Sequence, residues 1–402
     1  MSLFRDKNIL IGVSASIAAY KSAHLVREFI KHGANVRVVM TPESKGFITP
    51  LTLSTLSKNP VLSTLVKEEN HEEWNNHVKI GLWADMMVIA PATAKTLSKM
   101  ASGECDNLLL TTYLSASCPV FFAPAMDLDM LSHQSTQENI QKLISFGNHY
   151  IPVSDGELAS GLVGKGRMAE PEEIVRFVQD ELYKSLPLRD KHILITAGPT
   201  FEAIDPVRFI GNHSSGKMGY SLASQAADLG AYVTLVSGPT HQHIKHPNVL
   251  EIKVTSTHEM LTECNKCFDK TDVAILSAAV SDYTPSEVSS SKLKKSDEEL
   301  VLKLKKTTDI LKSLGEKKTH QLLVGFALET DNEIENAKSK LKNKNLDFIV
   351  LNSLNDKGAG FGVSTNKVTF ITSSNDIIEH ALKSKAVVAI DLMDQIQKQL
   401  HA

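Results

Sequence analysis

The sequence predicts an α/β protein of two doubly wound, Rossmann-like domains, the first of them built on a parallel sheet. Three observations lead there. At 402 residues the chain is longer than one core usually serves, since domains run to about 100–200 residues each. Short apolar, β-branched runs alternate with amphipathic helical stretches, the pattern of parallel strands buried on both faces. The alternation breaks once, at YKSLPLRDK (183–191), where charges and Pro187 interrupt it before it restarts. The break divides the chain into domains of residues 1–187 and 188–402.

In the first domain NILIGVSAS reads as a strand, followed by a helix through His32, the strand ANVRVVMT, a helix from Ser44, and the strands ADMMVIAPAT and PVFFAPAM. In the second, the strand HILITAG precedes a helix from Ser215 to Leu229. The strands AYVTLVSG, DVAILSAAVSDY, QLLVGFALET, DFIVLN and KVTFITS follow, and KSKAVVAIDLMDQIQKQL closes the chain as a helix. Between two of these strands, PSEVSSSKLKKSDEEL is rich in Ser and Lys and reads as a flap or strand excursion over a site.

Composition narrows the function. Apolar residues at 42% and charged residues at 22% are ordinary globular values. A net charge of −3 supplies no basic field, so neither nucleic acid nor an anionic membrane surface is an expected partner. No apolar run approaches the roughly 20 residues of a membrane span. Lys21, Arg27 and Glu28 at helical positions argue against a secretory signal, and the expected location is the cytoplasm. Cys264 and Cys267 spell CxxC, but with no second pair and a helical context they predict neither a metal nor a redox site.

Each domain carries a strand-to-helix turn suited to an anion. In GVSASIAAYK, Gly12, Ser14 and Ser16 fit either a mononucleotide phosphate at a helix N-terminus or a plain tight turn. The absence of GxGxxG argues against a dinucleotide. APAT (90–93) and PAMDLDM (124–130) also follow strands, where open α/β sheets bind ligands. In the second domain, residues 211–217 satisfy most of a P-loop pattern, but Met218 stands where Ser or Thr would hold Mg²⁺, leaving an anion cradle. Asp282 ends a strand and suits a ribose or a metal-bound phosphate. Lys292, Lys294 and Lys295 are cations for phosphates.

SASIAAYK, NHVKIGLWAD, APATAKT, CDNLL, PAMDLDM and GLVGKGRM, in that order, resemble the homo-oligomeric flavin-containing cysteine decarboxylases over about residues 5–180. Their fold is flavoprotein-like, and phosphopantothenoylcysteine decarboxylase is the nearest member. ITAGPT, DPVRFIGNHSSGKMG, VTLVSGP, AAVSDY, KLKK, TTDIL and VGFALET resemble phosphopantothenate–cysteine ligases over about residues 188–400. Together they imply a bifunctional enzyme of coenzyme A biosynthesis. For the first half the resemblance implies FMN, held by Gly12, Ser14, Ser16, Thr41, Ala92 and Thr93, with His77 as base. Asp127 stands where the family usually has an Asn that binds the substrate carboxylate, and would act as its near-isostere if protonated. Ser160 stands where the family has a proton-donating Cys, so release of an oxidised enethiol is an open outcome.

For the second half the resemblance implies 4′-phosphopantothenate, cysteine and CTP as substrates, joined through an acyl-cytidylate oriented by Asn212. Lys292 would neutralise phosphate charge. Leu276, Ser277, Ala278, Asp282, Thr308, Asp309, Ile310, Leu311, Phe326, Lys340 and Lys344 would hold the nucleotide, Thr308 in place of a usual Pro. Mg²⁺ would screen the triphosphate, with Asp282 its candidate ligand. Trimers of the first domain sharing flavin sites, dimers of the second and a dodecamer are the implied assembly. The alternatives are a ligase whose decarboxylase half is impaired, an NAD(P)-dependent reductase, and a nonenzymatic regulatory flavoprotein, whose long acidic tail this sequence does not show.

Overall fold

The computed structural model describes residues 3–66, 73–294, 300–353 and 363–400. It forms two compact units that divide between Lys184 and Ser185, slightly ahead of the sequence-derived boundary.

The first unit holds β1 (Asn8–Val13), α1 (Lys21–Lys31), β2 (Asn35–Met40), α2 (Pro50–Ser57), β3 (Val61–Leu62), α3 (His77–Trp83) and β4 (Met86–Ala92). It continues with α4 (Ala94–Ser102), α5 (Leu108–Ser115), β5 (Val120–Pro124), α6 (Leu128–Ser132), α7 (Gln134–Ser145), β6 (His149–Tyr150), β7 (Ser154–Glu157), β8 (Val163–Arg167) and α8 (Pro171–Lys184). The sheet order is β3-β2-β1-β4-β5-β6, parallel throughout. Every residue of β4 is buried, as a strand covered by helices on both faces must be. On one face α1 packs Leu25, Val26 and Phe29 into a cluster with Ile9, Ile11 and Phe121. On the other, α4 and α5 supply Leu97, Met100 and Leu109 against Leu10, Met87 and Ile89. The helix expected from Ser44 begins later. Residues Pro42–Gly46 make a 3₁₀ turn, and α2 starts at Pro50, where the Thr49 hydroxyl accepts from the Thr52 N–H and proline fits the first helical turn.

The second unit holds β9 (His192–Ala197), β10 (Phe201–Ala203), β11 (Phe209–Gly211), α9 (Lys217–Asp228), β12 (Tyr232–Ser237), β13 (Val249–Lys253), α10 (Thr257–Phe268), β14 (Val273–Leu276), β15 (Tyr283–Pro285) and β16 (Leu304–Lys306). Then come α11 (Ile310–Lys317), β17 (Leu322–Glu329), α12 (Glu333–Asn343), β18 (Phe348–Ser353), β19 (Thr365–Asn366), β20 (Val368–Thr372), β21 (Ile377–Glu379), β22 (Lys383–Ser384) and α13 (Lys385–Leu400). Its main sheet runs β13-β12-β9-β14-β17-β18-β20-β21. The strands from β13 to β18 are parallel, while β20 and β21 add an antiparallel edge. That edge was not distinguished from the parallel strands in the sequence, because KVTFITS reads as a β-branched strand like them and nothing local gives its direction.

Both sheets reverse their winding at the same place. The chain steps outward from β1 through β2 to β3 and then returns to β4 on the other side of β1. It does the same from β9 through β12 and β13 to β14. Such reversals open a crevice at the carboxyl ends of the two central strands. The flap expected near residue 290 is carried on the antiparallel pair β15 and β16, and Lys295 lies outside the described residues.

Candidate active sites

In the first unit the crevice is a cavity of about 750 Å³. Ser14, at the end of β1, is buried; its hydroxyl donates to the Pro91 carbonyl at 2.8 Å and accepts from the Thr93 N–H at 3.1 Å. GVSAS and APAT are thereby tied together across the switch point. Thr93 caps α4 by accepting from the Thr96 N–H, and Ser16 caps the 3₁₀ turn Ile17–Tyr20 by accepting from the Ala18 N–H. Ser16, Thr41 and Thr93 line the cavity. The Thr41 hydroxyl oxygen is buried and has no hydrogen-bond partner, an expensive state for a polar atom unless a ligand satisfies it.

Gly12, Ser14 and Ala92 do not line this cavity. Gly12 lies within β1, where a Cβ would stand 2.6 Å from Leu109 Cδ1, so its smallness serves packing. Ala92 is buried in β4, and its carbonyl accepts from the Ala125 N–H at 3.1 Å, joining APAT to PAMDLDM.

His77 opens α3 behind its Asn76 cap and meets Trp74 edge-on with ring centroids 5.2 Å apart. Its Nδ1 is buried without a partner, and it stands outside the cavity lining. Asp127 does line the cavity. The β7–β8 hairpin, which the sequence did not reveal, brings Ser160 to it: Ser160 Oγ donates to Asp127 Oδ1 at 2.7 Å. Gly166 makes this approach possible, because a Cβ there would lie 2.4 Å from the Met126 carbonyl oxygen. Lys21, placed by the sequence at a helical position, is buried. Its Nζ donates to the Met168 carbonyl at 2.8 Å and pairs with Glu170 at 3.0 Å, pinning the hairpin's exit to α1.

In the second unit a cavity of about 510 Å³ opens beside β14 and the start of α9. Asn212, Ser277, Ala278, Asp282 and Phe326 all line it. Asn212 Nδ2 donates to the Val280 carbonyl at 2.8 Å, which fixes the side chain against the strand exit. Gly216 takes a left-handed φ of 72° ahead of α9, and no side chain caps that helix, leaving its first N–H groups for an anion. Lys217 and Lys385 also line the cavity. Burial, then the nearby Lys217, hold the Lys385 ammonium below its usual pKa. Lys385 was missed in the sequence because it sits at the start of a helix that reads only as a closing element.

The remaining nucleotide residues lie elsewhere. Ile310 is buried in the core. Asp309 caps α11 by accepting from the Lys312 N–H and pairs with Lys344 at 2.8 Å. Burial opposes its charge, but Lys344 and the helix N–H groups outweigh burial and keep its carboxyl low. Lys340 pairs with Glu329 at 2.5 Å. Both predicted cations are therefore engaged by carboxylates. Leu276 is buried at the end of β14, while Leu311, Thr308, Lys340 and Lys344 stand outside the cavity lining. The segment before α11 is nonetheless tied to the site, since the Thr307 N–H donates to the Asp282 carbonyl at 3.0 Å.

Lys292 is exposed, yet the residue after it is clamped. The Leu293 N–H donates to Asp205 Oδ2 at 3.2 Å, and Arg208 donates to the Leu293 carbonyl at 2.8 Å. Asp205 also accepts from the Val207 and Arg208 N–H groups. Burial works against its charge, but those N–H groups and Arg208 prevail and hold its carboxyl below the usual range. Neither Asp205 nor Arg208 carries a local motif that would announce this.

Residues 3–183 match the Flavoprotein family, and residues 188–400 match the DNA/pantothenate metabolism flavoprotein C-terminal domain. A coenzyme A biosynthesis bifunctional protein CoaBC of Bacillus subtilis (strain 168) is 44% identical over 398 residues, covering 98% of this chain and 97% of the relative. The chain belongs to the CoaBC family. The family is one of enzymes, and this chain shares its two-domain order. A cysteine/cysteine sulfinic acid decarboxylase of an unknown prokaryotic organism is 55% identical over 359 residues, 88% of this chain and all of the relative. A solved C-terminal domain of a CoaBC protein is 43% identical, with a TM-score of 0.47, and covers 54% of this chain and 99% of that one. In this CoaBC chain no helix among the described residues is long and apolar enough to cross a membrane.

Proposed function

We propose that the second unit joins cysteine to 4′-phosphopantothenate with CTP and that the first decarboxylates the product to 4′-phosphopantetheine with FMN. The buried, unpartnered Thr41 hydroxyl in the first cavity is the observation that carries the flavin assignment. With Ser16 and Thr93 it gives the hydroxyl-rich wall that a phosphorylated flavin requires. FMN held there would supply reversible hydride chemistry at the thiol-bearing carbon of the substrate. His77 takes the thiol proton, and its place outside the cavity of one chain is consistent with sites shared between copies. In the ligase half, Asn212 would steady the acyl-cytidylate, Lys217 and Lys385 would meet phosphate charge, and Lys292 would close over it. Asp282 suits Mg²⁺ bound chiefly through the triphosphate.

A full-chain assay dependent on CTP and cysteine, following CO₂ and product thiol together with the absorption spectrum, tests this reading. Absence of a flavin band or of CTP dependence would overturn it. One observation favours a second reading: Asp127 puts a carboxyl group on the cavity wall, a partner for the ammonium of free cysteine, and a 55% identical relative is named for that substrate. Turnover of free cysteine faster than of the phosphopantothenoyl compound would establish it.

The clamp on the flap gives a further expectation. Asp205→Asn should loosen the segment bearing Lys292 and slow cysteine ligation by about tenfold to a hundredfold, the order expected when a reacting group is misplaced. CTP binding measured by calorimetry should change little. Because the Asp205 carboxyl is held low, its contribution is present above the ordinary carboxylate pKa of about 3.9 and is lost as pH falls through its lower folded value. No loss from this clamp is therefore expected between about pH 5 and 8, which a pH profile of wild-type ligation checks.

A further inference from the structure

Ser160 and Asp127, the two first-domain positions that depart from the resembling decarboxylases, touch each other at 2.7 Å. Asp127 precedes α6 without a side-chain bond to that helix, so its carboxyl is left to the cavity and to Ser160. Leu158 and Ala159, just before Ser160, line the same cavity. We propose that Asp127 and Ser160 are one proton-carrying unit: the docking substrate carboxylate draws a proton onto Asp127, and Ser160 passes it to the carbon that CO₂ leaves. The inference rests on the decarboxylase reading of this unit.

Two adjacent carboxylates do not both stay ionised, so docking takes up a proton from solvent. The other charged groups lining the cavity are Lys21, Glu43, Lys95, Lys99, Glu157 and Arg167. Lys21 and Arg167 share one carboxylate, Glu170, while Lys95 pairs with Glu43 and Lys99 with Glu104 and Asp106, so with Glu157 these four cations face five carboxylates and no positive charge is in surplus. A proton is then the counter-charge open to Asp127. Once protonated, Asp127 can bind the substrate carboxylate as an amide would.

The step balances. Oxidation removes a hydride from the thiol-bearing carbon and passes the thiol proton to His77, leaving C=S. The C–CO₂ bond then breaks, and its electron pair forms the C=C of an enethiolate. That carbon takes the proton of Ser160 Oγ, which Asp127 replaces, regenerating C=S and leaving Asp127 as carboxylate. The returning hydride and the proton on His77 complete the saturated thiol. One proton is consumed per CO₂ released, as exchange of a carboxylate for hydrogen requires.

Titration calorimetry on the full-length flavin-loaded protein tests the first half. The probe is 4′-phospho-N-pantothenoylalanine, which lacks the thiol, used near pH 7 in two buffers of different ionisation enthalpy. Wild type should take up about one proton on binding and Asp127→Asn none; absence of uptake by wild type overturns the inference. Product analysis tests the second half. Asp127→Asn should release CO₂ but form about a hundredfold less saturated thiol, the order of a lost general acid, with enethiol accumulating. Adding Ser160→Cys to that variant should restore the saturated product. Equal saturated thiol from wild type and Asp127→Asn, or no rescue in the double variant, overturns it. A wild type that neither releases CO₂ nor reduces its flavin would instead sink the decarboxylase reading on which the inference stands.

Discussion

Gly238→Ala is expected to destabilise the second unit by about 3 kcal/mol, the upper end of what an extra buried carbon typically costs. A Cβ at this position would lie 1.7 Å from the Pro199 carbonyl oxygen. The obstacle is backbone, so no rotamer change relieves it. The Gly238 N–H donates to the Ala197 carbonyl at 2.9 Å, holding the end of β12 against the end of β9, while Gly198, at a left-handed φ of 75°, sits close to the Gly238 carbonyl. Across the crevice, the Ala279 N–H donates to the Gly198 carbonyl at 2.9 Å. Pushing Pro199 away therefore strains both sides of the switch point and displaces the strand exit that fixes Asn212. For a unit of about 200 residues this corresponds to a fall in Tm of about 6–12 °C. Calorimetry on the full chain checks it, with flavin release reporting separately on the first unit. An unchanged second-unit transition would show that the loop relaxes freely.

How much of this site could be read in the sequence depended on whether the determining contacts were local. The crevices were legible, since parallel strands appear as continuous apolar runs and their carboxyl ends carry small hydroxyl residues, as in GVSAS and APAT. Ser277, Ala278, Asp282 and Asn212 came together where the order of motifs placed them. Contacts set by long-range packing were hidden. Lys340 and Lys344 were expected to hold the nucleotide, yet Glu329 and Asp309 engage them. The hairpin of β7 and β8 pairs exposed, glycine-containing strands that lack an apolar signature. Ser160 and Asp127 were each recognised as departures, but only the close approach of Gly166 to Met126 puts them in contact. Gly12 is the opposite case. Its place beside a hydroxyl-rich turn suggested ligand binding, whereas a leucine from α5 occupies the space a side chain would take.

Ser14→Ala is the most informative single change in the first unit. The Ser14 hydroxyl bridges β1 and β4, donating to the Pro91 carbonyl and accepting from the Thr93 N–H. Alanine would leave the Thr93 N–H without its acceptor in a buried crevice, at about 1–3 kcal/mol for the orphaned group. Pro91 keeps a weaker bond from the Ser14 N–H at 3.3 Å, so the strand pairing survives. The loss falls on the start of α4, where Thr93 both caps the helix and faces the cavity. If that wall holds the flavin phosphate, affinity should fall about tenfold or more, since about 1.4 kcal/mol corresponds to a factor of ten. Thr112→Val is the control: it removes another buried hydroxyl, bonded to the Leu108 carbonyl at 2.7 Å, but one that, unlike Ser14, holds no residue of the cavity lining. Flavin titration of both apo-proteins separates the cases. Equal affinity in the two variants would mean that Ser14 braces the sheet without shaping the site, whereas selective loss in Ser14→Ala would place the phosphate at the joined ends of β1 and β4.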